Sequence, residues 1–149
     1  MTPQRIHEQA TTTADPGTVW ALLAEGRTWP EWSPIESFEL ERPGDTAREG
    51  IGAVRVLRNG RVTGRDTIAE LVPDRRFAYT HDSSLPVRDY RGEVDLEPRP
   101  DGTVIHWRAS FEPKIPLTGA ILRRGLSGFL REMTQGLADG AARRAAVGA

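Results

Sequence analysis

No cysteine occurs anywhere in the 149 residues. That excludes disulfides, a thiolate nucleophile and a cysteine-ligated zinc site. Lysine is nearly missing too: of twenty basic residues only Lys114 is lysine, and the rest are arginine. No charge of one sign dominates, since twenty basic residues meet twenty-one acidic ones for a net charge of −1. Nothing therefore pulls the chain as a whole toward nucleic acid. No stretch approaches the ~18 apolar residues of a membrane helix. The polar opening, Met1 to Thr13, lacks the apolar run of a secretory signal, so a cytoplasmic protein without integral membrane association is expected. The three histidines, His7, His81 and His106, are scattered, and no metal site is expected from them.

Familiar cofactor motifs are also lacking. Gly50-Ile51-Gly52 begins like a dinucleotide fingerprint but runs into a strand without its third glycine. Gly125-Leu126-Ser127-Gly128 fails as a nucleophile elbow because Phe129 stands where glycine is required. No cofactor is expected. What remains is length enough for one domain, 1–149, which buries roughly 68–70% of its unfolded surface without covalent staples.

Along the chain, Arg5 to Thr13 reads as a threonine-rich strand. Asp15 can cap a helix with Pro16 at its first position, Val19, Trp20, Leu22 and Leu23 on its apolar side, and Gly26 as its stop. Trp29-Pro30-Glu31-Trp32-Ser33-Pro34 suits one tight turn. From Ile35 to Phe111, short apolar–polar alternations separated by turn residues predict antiparallel strands near 35–42, 52–58, 61–72, 75–83, 88–97 and 103–112. Asn59-Gly60 is the sharpest hairpin signal, predicting a two-residue turn with both positions at positive φ. After Pro116, Leu122, Leu126, Phe129, Leu130, Met133, Leu137 and Ala141 recur at helical spacing. Five glycines (119, 125, 128, 136 and 140) interrupt this helix, each costing about 1 kcal/mol relative to alanine, so it depends on tertiary packing.

A curled sheet covered by one long helix is an α+β arrangement with room left inside. The order of elements resembles the START/Bet v 1-like (SRPBCC) superfamily, and within it the bacterial polyketide cyclase/dehydrase-type proteins. The resemblance is carried by Ala14-Asp15-Pro16 through Val19-Trp20 and by Trp29-Pro30-Glu31-Trp32-Ser33-Pro34. Gly52-Ala53-Val54-Arg55, Arg75-Arg76-Phe77-Ala78-Tyr79 and Trp107-Arg108-Ala109-Ser110-Phe111 extend it. It implies a helix-grip fold: a seven-stranded curved antiparallel sheet around a long C-terminal helix, with two short helices between strands 1 and 2. Members of that superfamily include carriers, cyclases, aromatases and stress proteins.

Strand parity supplies candidate cavity residues. Ile105, Trp107, Ala109 and Phe111 share one face, with His106 and Arg108 on the other. Phe77, Tyr79 and His81 go together, as do Tyr90, Gly92, Val94 and Leu96. A turn at Asn59-Gly60 puts Arg55 opposite Gly64, leaving Arg55 and Asp66 as diagonal neighbours. Asp66 shares parity with Ile68, which argues for an inward pair; Val54 and Val56 argue for a surface ion pair, and both readings stand. Arg48-Glu49-Gly50-Ile51-Gly52 is a flexible mouth or a simple loop. Tyr79, His81 and Tyr90 could hydrogen-bond a phenol or carbonyl or move a proton, imidazole being the side chain that titrates nearest neutrality.

The expected ligand is a small hydrophobic or aromatic molecule, lipid- or polyketide-like, walled by Trp20, Trp32, Tyr79, Tyr90, Trp107, Leu126, Phe129 and Met133, with Arg55 and Asp66 as polar anchors. The alternatives are a cyclase/aromatase/dehydratase-type enzyme and a regulatory or interaction module. The enzyme would steady an oxyanion on Arg55 and move a proton through Asp66, Tyr79 or His81. The module would use Arg123, Arg124, Arg131, Arg143 and Arg144 along the last helix. No spacing specifies a catalytic motif, and neither monomer nor homodimer is favoured.

Overall fold

The structure, a computed structural model, describes residues 3–148. β1 (Gln4–Thr12) leads to Asp15, whose Oδ1 accepts the Thr18 N–H at 2.8 Å and so caps α1 (Pro16–Ala24). A 3-10 turn (Gly26–Thr28) and the single-turn α2 (Trp29–Trp32) follow. Six strands come next: β2 (Ser37–Arg42), β3 (Val54–Asn59), β4 (Val62–Val72), β5 (Arg76–Ser83), β6 (Val87–Arg99) and β7 (Gly102–Pro113). The chain ends in α3 (Gly119–Gly148), thirty residues long.

All strand pairs are antiparallel, in the order β1-β7-β6-β5-β4-β3-β2. This is the helix-grip arrangement expected, with a long helix against a curved seven-stranded sheet. Register shifts near Ala69 in β4 and Asp89 in β6 insert extra residues, and such bulges bend a strand. Asp89 adopts φ 52° there.

One register prediction fails. Asn59 pairs with Val62, so the β3–β4 turn is Gly60-Arg61 rather than Asn59-Gly60. Only Gly60 takes positive φ (60°), which a turn with glycine at its first central position requires. Arg55 therefore lies directly opposite Asp66, not diagonal to it. A two-residue shift preserves parity, so the face assignments are unaffected.

Ile105, Trp107, Ala109 and Phe111 are buried on the inner face, together with Ile68, Phe77, Tyr79, Tyr90, Val94 and Leu96. α3 lies chiefly along β1, with further packing on β7, α1 and α2. It thus covers one flank of the concave face, and the flank built from β3, β4 and β5 faces only the first turns of the helix.

Candidate functional site: a pocket beneath the first turns of the last helix

A pocket of about 350 Å³ opens where α3 stands off the sheet. Leu57 and Asn59 of β3, Val62, Gly64 and Asp66 of β4, Tyr79 and His81 of β5 and Tyr90 of β6 form the sheet side. Ile121, Leu122, Gly125, Leu126, Phe129 and Met133 form the helix side, with Trp29, Ile35 and Leu85 closing the ends. The wall is apolar except for Asn59 and a polar group shared by β4, β5 and β6.

That group is built by cross-strand pairing. Asp66 pairs with His81, and His81 with Tyr90, so three side chains stand in a row across the sheet. The His81 Nδ1–H donates to Asp66 Oδ1 at 2.6 Å. This bond fixes the tautomer and leaves the Nε2 lone pair without a partner among the described hydrogen bonds. The imidazole lies over Gly64, where a Cβ would come within 2.6 Å of its Cε1. The His81 and Tyr90 ring centroids are 5.0 Å apart.

The two phenols continue the row inward. Trp107 Nε1–H donates to the Tyr79 hydroxyl at 3.1 Å. The Tyr90 ring stacks beside Tyr79, with centroids 6.4 Å apart, which brings the second phenol to the pocket wall. Burial pushes both phenols above their ordinary pKa, Tyr79 most strongly, and the Asp66 carboxylate nearby adds to it. Both therefore act as hydrogen-bond donors rather than bases.

Arg55 does something different from the anchor proposed for it. Its Nη1 donates to the Leu23 carbonyl at 3.0 Å and its Nη2 to the Ala24 carbonyl at 2.7 Å, so it caps the C-terminus of α1. Nη2 also meets Glu49 Oε1 at 3.0 Å, and Glu49 in turn accepts the Gly26 N–H. Nε has no acceptor, but the guanidinium carbon lies 5.2, 5.6 and 6.0 Å from the Phe77, Trp29 and Phe38 ring centroids. Burial lowers its pKa from the usual guanidinium value, opposed by Glu49 and Asp66. Arg55 faces inward, but its two Nη groups are engaged by backbone and by Glu49; it does not line the pocket, and Asp66 takes His81 instead. The Arg48–Gly52 segment is likewise no mouth, because Glu49 ties it to Arg55 and Gly26.

Of the other expected wall residues, Asp66, Tyr79, His81, Tyr90, Leu126, Phe129 and Met133 come together here. Ile68, Phe77, Val94, Trp107 and Ala109 are buried core behind the wall. Trp20 packs edge-on to Phe77, and Trp32 packs under α3 at Gly136 and Gly140, so neither reaches the pocket. Leu57, Asn59, Val62 and Gly64 were missed although parity with Arg55 and Asp66 points to them. Trp29 opens the single-turn α2, too short to show a period, and Ile35 and Leu85 lie in connections, where no periodicity exists to read. Among the described residues no cluster of His, Asp and Glu is arranged to hold a metal ion, and no helix is long and apolar enough to cross a membrane.

Comparison with known proteins agrees with this architecture. A START superfamily protein from Mycobacterium smegmatis superposes with a TM-score of 0.80 at 12% identity, covering 93% of this chain and 97% of that one. Norcoclaurine synthase from Thalictrum flavum, solved with a transition-state analogue, gives 0.75 at 13% identity, with 96% of each chain covered. The protein XoxI from Bacillus cereus gives 0.71 at 20% identity, covering 94% of this chain and 95% of that one. No curated protein matches the sequence. The family model for polyketide cyclase / dehydrase and lipid transport matches residues 3–143, and the chain belongs to that family.

Proposed function

We propose that residues 1–149 act as one binding domain for a small, largely apolar molecule of aromatic or polyketide-like character that carries one hydrogen-bond acceptor. The observation that carries this reading is the distribution of polarity in the pocket. Its volume of about 350 Å³ falls within the roughly 300–1,000 Å³ of ligand sites, and its polar groups other than Asn59 converge at one place. An apolar body would lie along Leu122, Leu126, Phe129 and Met133, displacing poorly held water. A carbonyl or hydroxyl oxygen would accept from Tyr90, a buried phenol on the pocket wall that stays protonated.

The test is native mass spectrometry of freshly purified protein together with titration of 2-naphthol and 2-tetralone, followed by intrinsic tryptophan fluorescence, to which Trp29 on the pocket wall contributes. Saturable binding that Leu126→Arg abolishes, in a variant that still folds, supports the reading. Absence of any retained molecule together with no saturable binding of either probe overturns it.

A further inference from the structure

The row Asp66–His81–Tyr90 has the parts of a proton-transfer site. We infer that the pocket catalyses reversible removal of a proton from a carbon next to a carbonyl, with His81 Nε2 as the base, Tyr90 as the donor to the developing oxyanion, and Asp66 as the positioning residue. The inference rests on the binding reading above and adds chemistry to it.

Three observations converge. First, the bond from His81 Nδ1 to Asp66 holds the imidazole in the one tautomer whose Nε2 can accept a proton, and Nε2 has no other partner among the described hydrogen bonds. Asp66 also stabilises the imidazolium that forms, as its side chain is only 9% exposed and little water competes. Second, Tyr90 stands on the pocket wall beside Tyr79, whose oxygen accepts from Trp107, and burial keeps both phenols protonated and able to donate. Third, His81 and Tyr90 are cross-strand partners with ring centroids 5.0 Å apart, so one ligand can meet both through adjoining atoms.

The step balances without any co-reactant. The Cα–H bond breaks and its proton forms a bond to Nε2. The electron pair left on carbon becomes the enolate double bond, and the carbonyl π pair moves to oxygen, where the Tyr90 O–H meets it. Return of the proton from the imidazolium to the same carbon, or to a conjugated one, restores the neutral ketone. Arg55, engaged at α1, takes no part.

Deuterium wash-in at the α carbons of 2-tetralone, in D₂O and followed by proton NMR, reads this step directly. The wild-type protein is expected to exceed an equal concentration of free imidazole by at least ~100-fold. At saturating 2-tetralone, His81→Gln and Tyr90→Phe should each lose roughly 10–1,000-fold in exchange, and Tyr90→Phe should also bind the ketone more weakly by the one hydrogen bond it lacks. Asp66→Asn should lose activity that Asp66→Glu partly restores, which a merely structural role would not produce. His106→Gln, on the opposite face, should exchange like the wild type. Binding without exchange above the imidazole control overturns the inference but leaves the binding reading intact, as does exchange undiminished in His81→Gln. Failure of 2-tetralone to bind while 2-naphthol binds overturns the inference, because a ketone must then be excluded; failure of both overturns the inference, and the binding reading with it where no molecule is retained.

Discussion

From Leu130 to Ala141, the inward side chains of α3 are completely enclosed, whereas Leu122, Leu126 and Phe129, on the same stripe, are only half-buried. The difference follows from what each half meets. In the second half Gly136 and Gly140 press on Trp32, where an added Cβ would fall on its carbonyl oxygen or its side chain, and Thr12 Oγ1 donates to the Ala138 carbonyl at 2.9 Å. In the first half Gly125 and Gly128 have nothing within 4 Å of where a Cβ would stand, and Ile121 is 75% exposed. Glycines of one helix thus have opposite meanings. Two permit close packing, and two are plain weaknesses in a stretch that covers the pocket.

Substitutions can break this contrast. The largest effect belongs to Arg55→Met, away from the helix, which leaves the Leu23 and Ala24 carbonyls and Glu49 without their cation. It should cost about 3–5 kcal/mol in chemical denaturation, as removal of one member of a buried charge pair does. Leu137→Ala comes next, at about 2–5 kcal/mol, whereas Leu126→Ala, on the half-exposed stretch, should cost less than ~1 kcal/mol. Equal losses at the two leucines would erase the distinction between the halves. Gly136→Ala should destabilise by about 1–3 kcal/mol through overpacking against the Trp32 backbone. Gly125→Ala should instead stabilise by up to about 1 kcal/mol, raising Tm by roughly 2–4 °C, and slow amide exchange only in the first turns of the helix.

The smallest effect concerns pH. The chain has two tyrosines, Tyr79 and Tyr90, so tyrosinate absorbance at 295 nm reports on them alone. Both pKa values are raised in the folded protein, so their contribution to stability is complete below the unfolded phenol value of about 10 and is lost as pH climbs from there through the native values. The absorbance should therefore stay flat past pH 10 and rise together with loss of near-UV circular dichroism. A normal titration in still-folded protein would show that the loose half of the helix leaves the phenols wet.

Local pattern was enough for the architecture because strand period, turn residues and the helical stripe each act over a few residues. It was not enough for the site. Asp66 sits on β4 with Arg55 opposite on one side and His81 on the other. Both neighbours share its face, and parity cannot say which one the carboxylate takes. The outcome depends on where α1 ends, because its free carbonyls draw the guanidinium away and leave Asp66 to the imidazole. The turn at Gly60-Arg61 was displaced for a similar reason: one glycine suffices for its positive φ, and the dipeptide rule expected two such positions.

The Tyr79 ring lies flat across Gly92, occupying the space where any side chain at that position would begin. The depth of the pocket is thus set by an atom that is not there. Alanine at residue 92 would lift the phenol toward the helix, and the whole hydrogen-bonded row would move with it. If the pocket binds as proposed, position 92 would set the size of molecule admitted while lying behind the wall.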